Sequence, residues 1–187
     1  MGGSDEAAVA LARAGDREAF RTLVEKHSRN VFRLAFRMTG NEEDAEDVVQ
    51  ETFLRAYRKM PTFAGQSEFS TWLHRIAANC AVDALRRRIA RQRQERPLEA
   101  KAEEAVASGP TPERALFGYE IHEQVTRSLD GLSAMERAAF VLRHFEGRTI
   151  AEIGKTLGVR NGAARNCVFR AVAKLRRDLG QVAEGAP

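Results

Sequence analysis

Apolar residues that return every three or four positions constrain this chain more than any other feature of it. From Asp16 onward, Phe20, Leu23, Val24, His27, Val31, Leu34, Ala35 and Met38 trace one face of a long helix. Thr39-Gly40-Asn41 ends it, and Asn41 suits the N-cap of the next helix. There Glu42, Glu43 and Asp44 occupy the first turn, where the helix dipole favours anions. Ala45, Val48, Val49, Thr52 and Ala56 form the buried stripe, flanked by Phe53 and Tyr57, and Pro61 stops the helix. After a loop from Thr62 to Ser67 that contains Gly65, a third stripe of Phe69, Trp72, Leu73, Ile76, Cys80 and Ala84 runs into Arg86-Arg87-Arg88. Strict apolar–polar alternation, the mark of a half-buried strand, is found nowhere, so the sequence predicts an all-α protein.

Residues 94–114 change character. They hold no aromatic residue, and Gly109-Pro110-Thr111-Pro112 cannot continue a helix. They are read as a flexible linker, partly helical around Leu98 to Val106. Periodicity returns with Leu116, Tyr119, Ile121, Val125 and Leu129. Ser133-Ala134-Met135-Glu136 and Thr149-Ile150-Ala151-Glu152 are capping boxes, in which a hydroxyl and a carboxylate three residues apart satisfy each other's backbone N–H. The first opens a helix with Met135, Ala138, Leu142 and Phe145 at helical spacing. The second opens a short helix to Leu157, followed by a turn at Gly158-Val159 and a basic helix from Asn161 to Arg177. The expected organisation is two small helical domains on a linker. An N-terminal segment (1–15) precedes the first domain (16–93); after the linker (94–114) come a second domain with a helix-turn-helix (115–180) and a tail (181–187).

Charge is distributed unevenly. The net +4 is modest, but Arg137 to Arg177 carries ten Lys or Arg against two acids, Glu146 and Glu152. A short helix, a glycine turn and a basic helix match the DNA-binding helix-turn-helix, whose second helix needs donors for phosphates and base edges; Arg165, Asn166, Arg170 and Lys174 provide them. The alternative is an ordinary helical hairpin with a solvated basic face. Phe69 to Arg93 holds six arginines and one acid, Asp83, beside the aromatics Phe63, Phe69 and Trp72. Aromatic faces next to cations suit unstacked single-stranded bases. Phe69 and Trp72 fall on the apolar stripe and read as core, which leaves Phe63, in the loop, as the expected DNA contact. Asn41 to Glu51 has six carboxylates and no base. The spacing does not fit a calcium loop, so a negative face docking on a positive partner and a plain solvated face both remain open.

Several function classes are excluded. Cys80 and Cys167 lie far apart without a Cys/His cluster, which argues against a disulfide scaffold or a zinc site. His27, His74, His122 and His144 do not cluster, and His27 reads as a satisfied core residue. No nucleophile elbow or phosphate loop is present, so neither an enzyme nor a cofactor is expected. No secretory leader and no apolar run of membrane-spanning length is seen, and the expected location is cytoplasmic.

At this point three segments resemble one family. Asp47-Val48-Val49-Gln50-Glu51-Thr52-Phe53-Leu54-Arg55-Ala56-Tyr57 resembles the polymerase-binding helix of the extracytoplasmic-function (ECF) sigma factors, of the sigma-E kind. Phe69-Ser70-Thr71-Trp72-Leu73-His74-Arg75-Ile76-Ala77, with Asn79 and Asp83, resembles their minus-ten segment. Gly147 to Ile153 and on through Phe169-Arg170-Ala171 resembles their minus-thirty-five helix-turn-helix. The resemblance spans about Asp16 to Leu179 in the family's order. It implies a factor that binds core RNA polymerase, directs it to promoters and promotes their opening. Asp47, Val48, Gln50, Glu51 and Leu54 would meet polymerase. Lys59, Phe63, Ser67, Arg75, Asn79, Asp83 and Arg86 would lie near the melted minus-ten strand, where the loop Thr62 to Ser67 shapes a pocket for a flipped base. Arg143, Arg165, Asn166, Phe169, Arg170 and Lys174 would face the minus-thirty-five duplex. The resemblance further implies promoter DNA, duplex and melted, and an anti-sigma protein as partners, with no small-molecule substrate and no membrane insertion.

The recognition helix departs from the family pattern. Gly162-Ala163-Ala164-Arg165-Asn166-Cys167 lacks a hydroxyl, a β-branched residue and an arginine usual there, so looser packing and an unusual promoter preference are expected. A freestanding helix-turn-helix regulator is the rival reading; it leaves the acidic helix and the aromatic-rich N-terminal half unexplained.

Overall fold

The computed structural model describes residues 5–95, 129 and 131–183, and among these the regular structure is entirely helical. The predicted partial helix at Leu98 to Val106 and the periodic run from Leu116 to Val125 lie outside the described residues. The first helix, α1 (Glu6–Arg13), was not expected from the sequence. Helix α2 (Arg17–Thr39) starts where Asp16 accepts from the backbone N–H groups of Glu18 and Ala19 at 2.9 and 3.1 Å. It stops at Gly40, whose φ of 70° is left-handed and suits a residue without Cβ. Asn41 then caps α3 (Glu42–Lys59) by accepting from Asp44 N at 2.8 Å. The α-helix ends at Lys59, just before Pro61, in a 3-10 turn, Met60–Thr62, and α4 (Phe69–Glu95) follows the loop.

Both predicted capping boxes form. Ser133 opens α5 (Ala134–His144) and Thr149 opens α6 (Ile150–Leu157), each with its glutamate returning to the cap backbone. Gly158, with φ of 67°, ends α6, and α7 (Asn161–Ala183) completes the chain.

The N-terminal half packs α2, α3 and α4 around Leu23, Leu34, Met38, Met60 and Leu73, each at most 1% exposed. Burying one such side chain contributes about 1.5–3 kcal/mol before chain entropy is counted. Helix α1 lies on α2, and His27, 7% exposed, faces the Asp5 carboxylate at 3.0 Å and the edge of Phe69. This is the satisfied core histidine expected. The two halves do not stand apart. Ala138, Val141 and Leu142 of α5, Ile153 of α6 and Ala164 of α7 belong to the same buried cluster as the N-terminal core, and α4 packs on both α5 and α6. A smaller cluster of Leu129, Leu132, Ala171 and Leu175 lies under the middle of α7.

Candidate nucleic-acid interface

The helix-turn-helix is built from backbone satisfaction upward. The Thr149 hydroxyl accepts from Glu152 N at 3.3 Å, while the Glu152 carboxylate accepts from Thr149 N at 2.8 Å. Hydrogen bonds donated by the Thr149 backbone N–H and by its hydroxyl hold the Glu152 carboxyl below its ordinary pKa. Val159 N donates to Gly154 O at 2.9 Å and folds the turn back on α6. Helix α7 turns small side chains inward: Ala164 and Ala171 are fully enclosed.

The outward face of α7 presents Arg165, Asn166, Phe169 and Arg170, all exposed, with Phe169 73% exposed. An aromatic ring left in water gains nothing in the free chain, so the face is suited to a partner. Arg143 is exposed as well, although one Nη1 donates to Arg148 O at 3.0 Å. Lys174 is half-buried, and its Nζ lies 2.7 Å from the Glu136 carboxylate, where it closes the start of α5 against α7. Burial works against the Glu136 charge, yet hydrogen bonds from Lys174 and Ser133 outweigh it and hold the carboxyl below its ordinary pKa.

In the N-terminal half the structure separates the expected residues into presented and withdrawn sets. Asp47, Gln50 and Leu54 are exposed on the outer face of α3, Glu51 is half-buried, and Tyr57 joins them at 43% exposure. Tyr57 sits one turn beyond Leu54, at the end of the segment that resembles the polymerase-binding helix. Val48 is 2% exposed and shares the inner stripe with Ala45 and Thr52, as its helical period demands. Phe63 is also withdrawn. It is 6% exposed, with its ring 4.8 Å from that of Trp72 and 6.2 Å from that of Phe69, because the loop folds its one aromatic back onto the core.

Lys59 and Arg86 are exposed and Ser67 and Arg75 half-buried. Asp83 is engaged: Arg55 Nη1 lies 3.2 Å away and Arg86 4.0 Å away, so its carboxylate neutralises cations of α3 and α4. The same Arg55 binds Glu51 at 2.6 Å, and that hydrogen bond raises the guanidinium pKa further above its ordinary value. Asn79 is half-buried against the other half of the molecule, where its Nδ2 donates to Thr156 O at 3.1 Å and, within its own helix, to Arg75 O at 2.9 Å. Burial raises the thiol pKa of both Cys80 and Cys167, so neither is a ready thiolate. Among the described residues no group of three or more His, Cys, Asp or Glu is placed to hold a metal ion, and no helix is long and apolar enough to cross a membrane.

Two family models match the chain: Sigma-70 region 2 over residues 23–93 and Sigma-70 region 4 over residues 128–177. The ECF RNA polymerase sigma factor SigE of Mycolicibacterium smegmatis is 39% identical over 159 residues, which cover 85% of this chain and 61% of that longer relative. The ECF RNA polymerase sigma factor SigW of Bacillus subtilis is 31% identical over 180 residues, covering 91% of this chain and 94% of SigW. Among solved structures, that of CnrH in complex with the cytosolic domain of CnrY superposes with a TM-score of 0.63 at 25% identity, covering 95% of this chain and 97% of that one.

Proposed function

Because the chain belongs to the extracytoplasmic-function sigma factors, which direct RNA polymerase to promoters, we propose a division of that work among its helices. The outer face of α3 docks on core polymerase through Asp47, Gln50, Glu51, Leu54 and Tyr57. Exposed carboxylates steer it to a basic surface, and the two exposed apolar side chains provide area to bury on contact. Helix α4 and its preceding loop engage the melted minus-ten strand through Lys59, Ser67, Arg75, Asn79 and Arg86. Helix α7 reads the minus-thirty-five duplex: arginine matches guanine edges, asparagine matches adenine, and an aromatic ring packs on a thymine methyl.

The observation that carries this reading is the exposed row Arg165, Asn166, Phe169 and Arg170 on a capped helix-turn-helix. The chain works in the cytoplasm and is no enzyme; polymerase performs the chemistry, while this protein positions it and holds unstacked bases. That the sigma factor RpoE of Bartonella quintana, similar in fold, is solved with the anti-sigma factor NepR supports an anti-sigma protein as a further partner.

Co-purification with core RNA polymerase tests the reading. The wild-type chain is expected to be retained, and Asp47→Arg to lose most of that retention while keeping its helical circular dichroism, since charge reversal at an exposed site costs little stability. A chain that ignores core polymerase yet binds promoter duplex alone would instead be a freestanding regulator.

A further inference from the structure

Glu146 lies in the loop between α5 and α6, in the C-terminal half, yet its carboxylate is held by the N-terminal half. Arg37 of α2 donates from Nη1 to Oε1 at 2.8 Å, and His74 Nε2 of α4 lies 3.2 Å from Oε2. The Arg37 guanidinium also covers the ring of Phe145, 5.4 Å from its centroid. A second tie lies along α4, where Asn79 donates to the carbonyl of Thr156 in the first helix of the helix-turn-helix. The cleft beside Glu146 is lined further by His27 and Arg33 of α2 and by Arg148, so among the described residues that line it Glu146 is the one acid in a cationic cleft between the halves. Glu146 and its neighbour Phe145 thus join parts of the chain 109 and 72 residues apart in sequence.

This arrangement cannot be the one that works on a promoter. The two elements are named for positions roughly 25 base pairs apart, about 85 Å of duplex at ~3.4 Å per pair. Here Asn79 touches the helix-turn-helix at 3.1 Å. Even α7, with 23 residues, is only about 35 Å long and could not bridge the difference. The occlusion is also one-sided. The face of α4 that bears Asn79 is covered by α6, whereas Arg165, Asn166, Phe169 and Arg170 stay exposed.

We propose that Glu146, gripped by Arg37 and His74, is the latch of a closed resting state in which the C-terminal half covers the minus-ten face of α4 and leaves the minus-thirty-five face of α7 open. The free protein is therefore blind to the melted strand until its halves separate, while it can still meet the upstream duplex. The masking rests on the assignment of α4 to the minus-ten strand; the latch itself does not.

Charge exchange in the full-length chain tests both. Glu146→Arg sets a cation against Arg37 and His74, Arg37→Glu sets an acid against Glu146, and the double variant restores an opposite pair at the wild-type net charge. Small-angle X-ray scattering reads closure, and fluorescence anisotropy at fixed salt reads affinity for a single-stranded minus-ten oligonucleotide and for a minus-thirty-five duplex. Both single variants are expected to have a larger radius of gyration. Both should bind the strand about tenfold more tightly, the gain when a binding-competent fraction rises from roughly a tenth to nearly all. The double variant should return to the compact, weakly binding state.

The two single variants change net charge in opposite directions, so a general electrostatic effect would move strand affinity up in one and down in the other. That pattern overturns the masking, as does an opened chain with unchanged strand affinity. Single variants as compact as wild type overturn the latch. No arm contains polymerase, so failure of the functional reading shows separately, as a wild-type chain that does not co-purify with core enzyme.

Discussion

Gly154 offers a prediction whose sign is set by the structure against ordinary helix propensity. It lies inside α6, and replacing an interior helical glycine by alanine normally gains about 1 kcal/mol. A Cβ at Gly154, however, would lie 2.9 Å from Val159 O and 2.9 Å from Asn161 Oδ1. The Asn161 side chain can swing away. The Val159 carbonyl cannot move freely, because it belongs to the turn fixed by Gly158 in the left-handed region and by the 2.9 Å bond from Val159 N to Gly154 O. Overpacking of this kind costs about 1–3 kcal/mol, so the expected net loss is about 1 kcal/mol after the propensity gain. For a chain of this size that lowers Tm by about 2–4 °C.

Gly162, in the first turn of α7, provides the internal control. Nothing lies within 4 Å of a Cβ built there. Gly162→Ala should therefore raise Tm, by about 0.4–1 kcal/mol in stability. Differential scanning calorimetry of the two variants beside wild type gives the answer. If Gly154→Ala is as stable as Gly162→Ala, the turn relaxes without cost and the close approach of α6 to the start of α7 does not constrain the helix-turn-helix.

Two further outcomes are expected. Phe63→Ala should cost about 3–5 kcal/mol in urea denaturation, as loss of a buried ring does. A loss under about 1 kcal/mol accompanied by weaker binding of the minus-ten strand would show that the ring faces DNA after all. The second concerns pH. Glu136 has a folded-state pKa below its ordinary value, so its contribution is complete above the ordinary glutamate range near 4.3 and is lost as pH falls through the depressed value. Urea midpoints measured from pH 7 down to pH 3 should therefore fall more steeply for wild type than for Glu136→Gln, and parallel curves would remove Glu136 from the acid response.

Much of the fold could be read from local signals because the residues that decide it are local. Asn41, Ser133 and Thr149 each satisfy a backbone N–H within three residues, and Gly40 and Gly158 stop helices where the chain must adopt positive φ. Helix α1 has no local start signal, because its N-cap residue, Asp5, makes no side-chain cap bond and spends its carboxylate on Lys26 and His27 instead. At the candidate site, the outward row of α7 follows from helical period alone. Lys174 does not, since its partner Glu136 lies 38 residues away and nothing nearby in sequence marks the pairing. Val48 carried two conflicting signals, a binding motif and the buried stripe, and the stripe decided its place. The latch around Glu146 had no sequence signature at all, because Arg37 and His74 come from two other helices.

Arg55 has a consequence for how variants of this protein are to be interpreted. One guanidinium is shared between Glu51, on the docking helix, and Asp83, on the helix assigned to DNA. A substitution at Glu51 frees Arg55 to redistribute toward Asp83, and a substitution at Asp83 does the reverse, so neither is a local perturbation. Their effects should be strongly non-additive, as those of residues in one charge network generally are. Asp47 is exposed and makes no ion pair with Arg55. Charge scanning across α3 will therefore return epistasis at Glu51 and independence at Asp47, although the two carboxylates lie one helical turn apart.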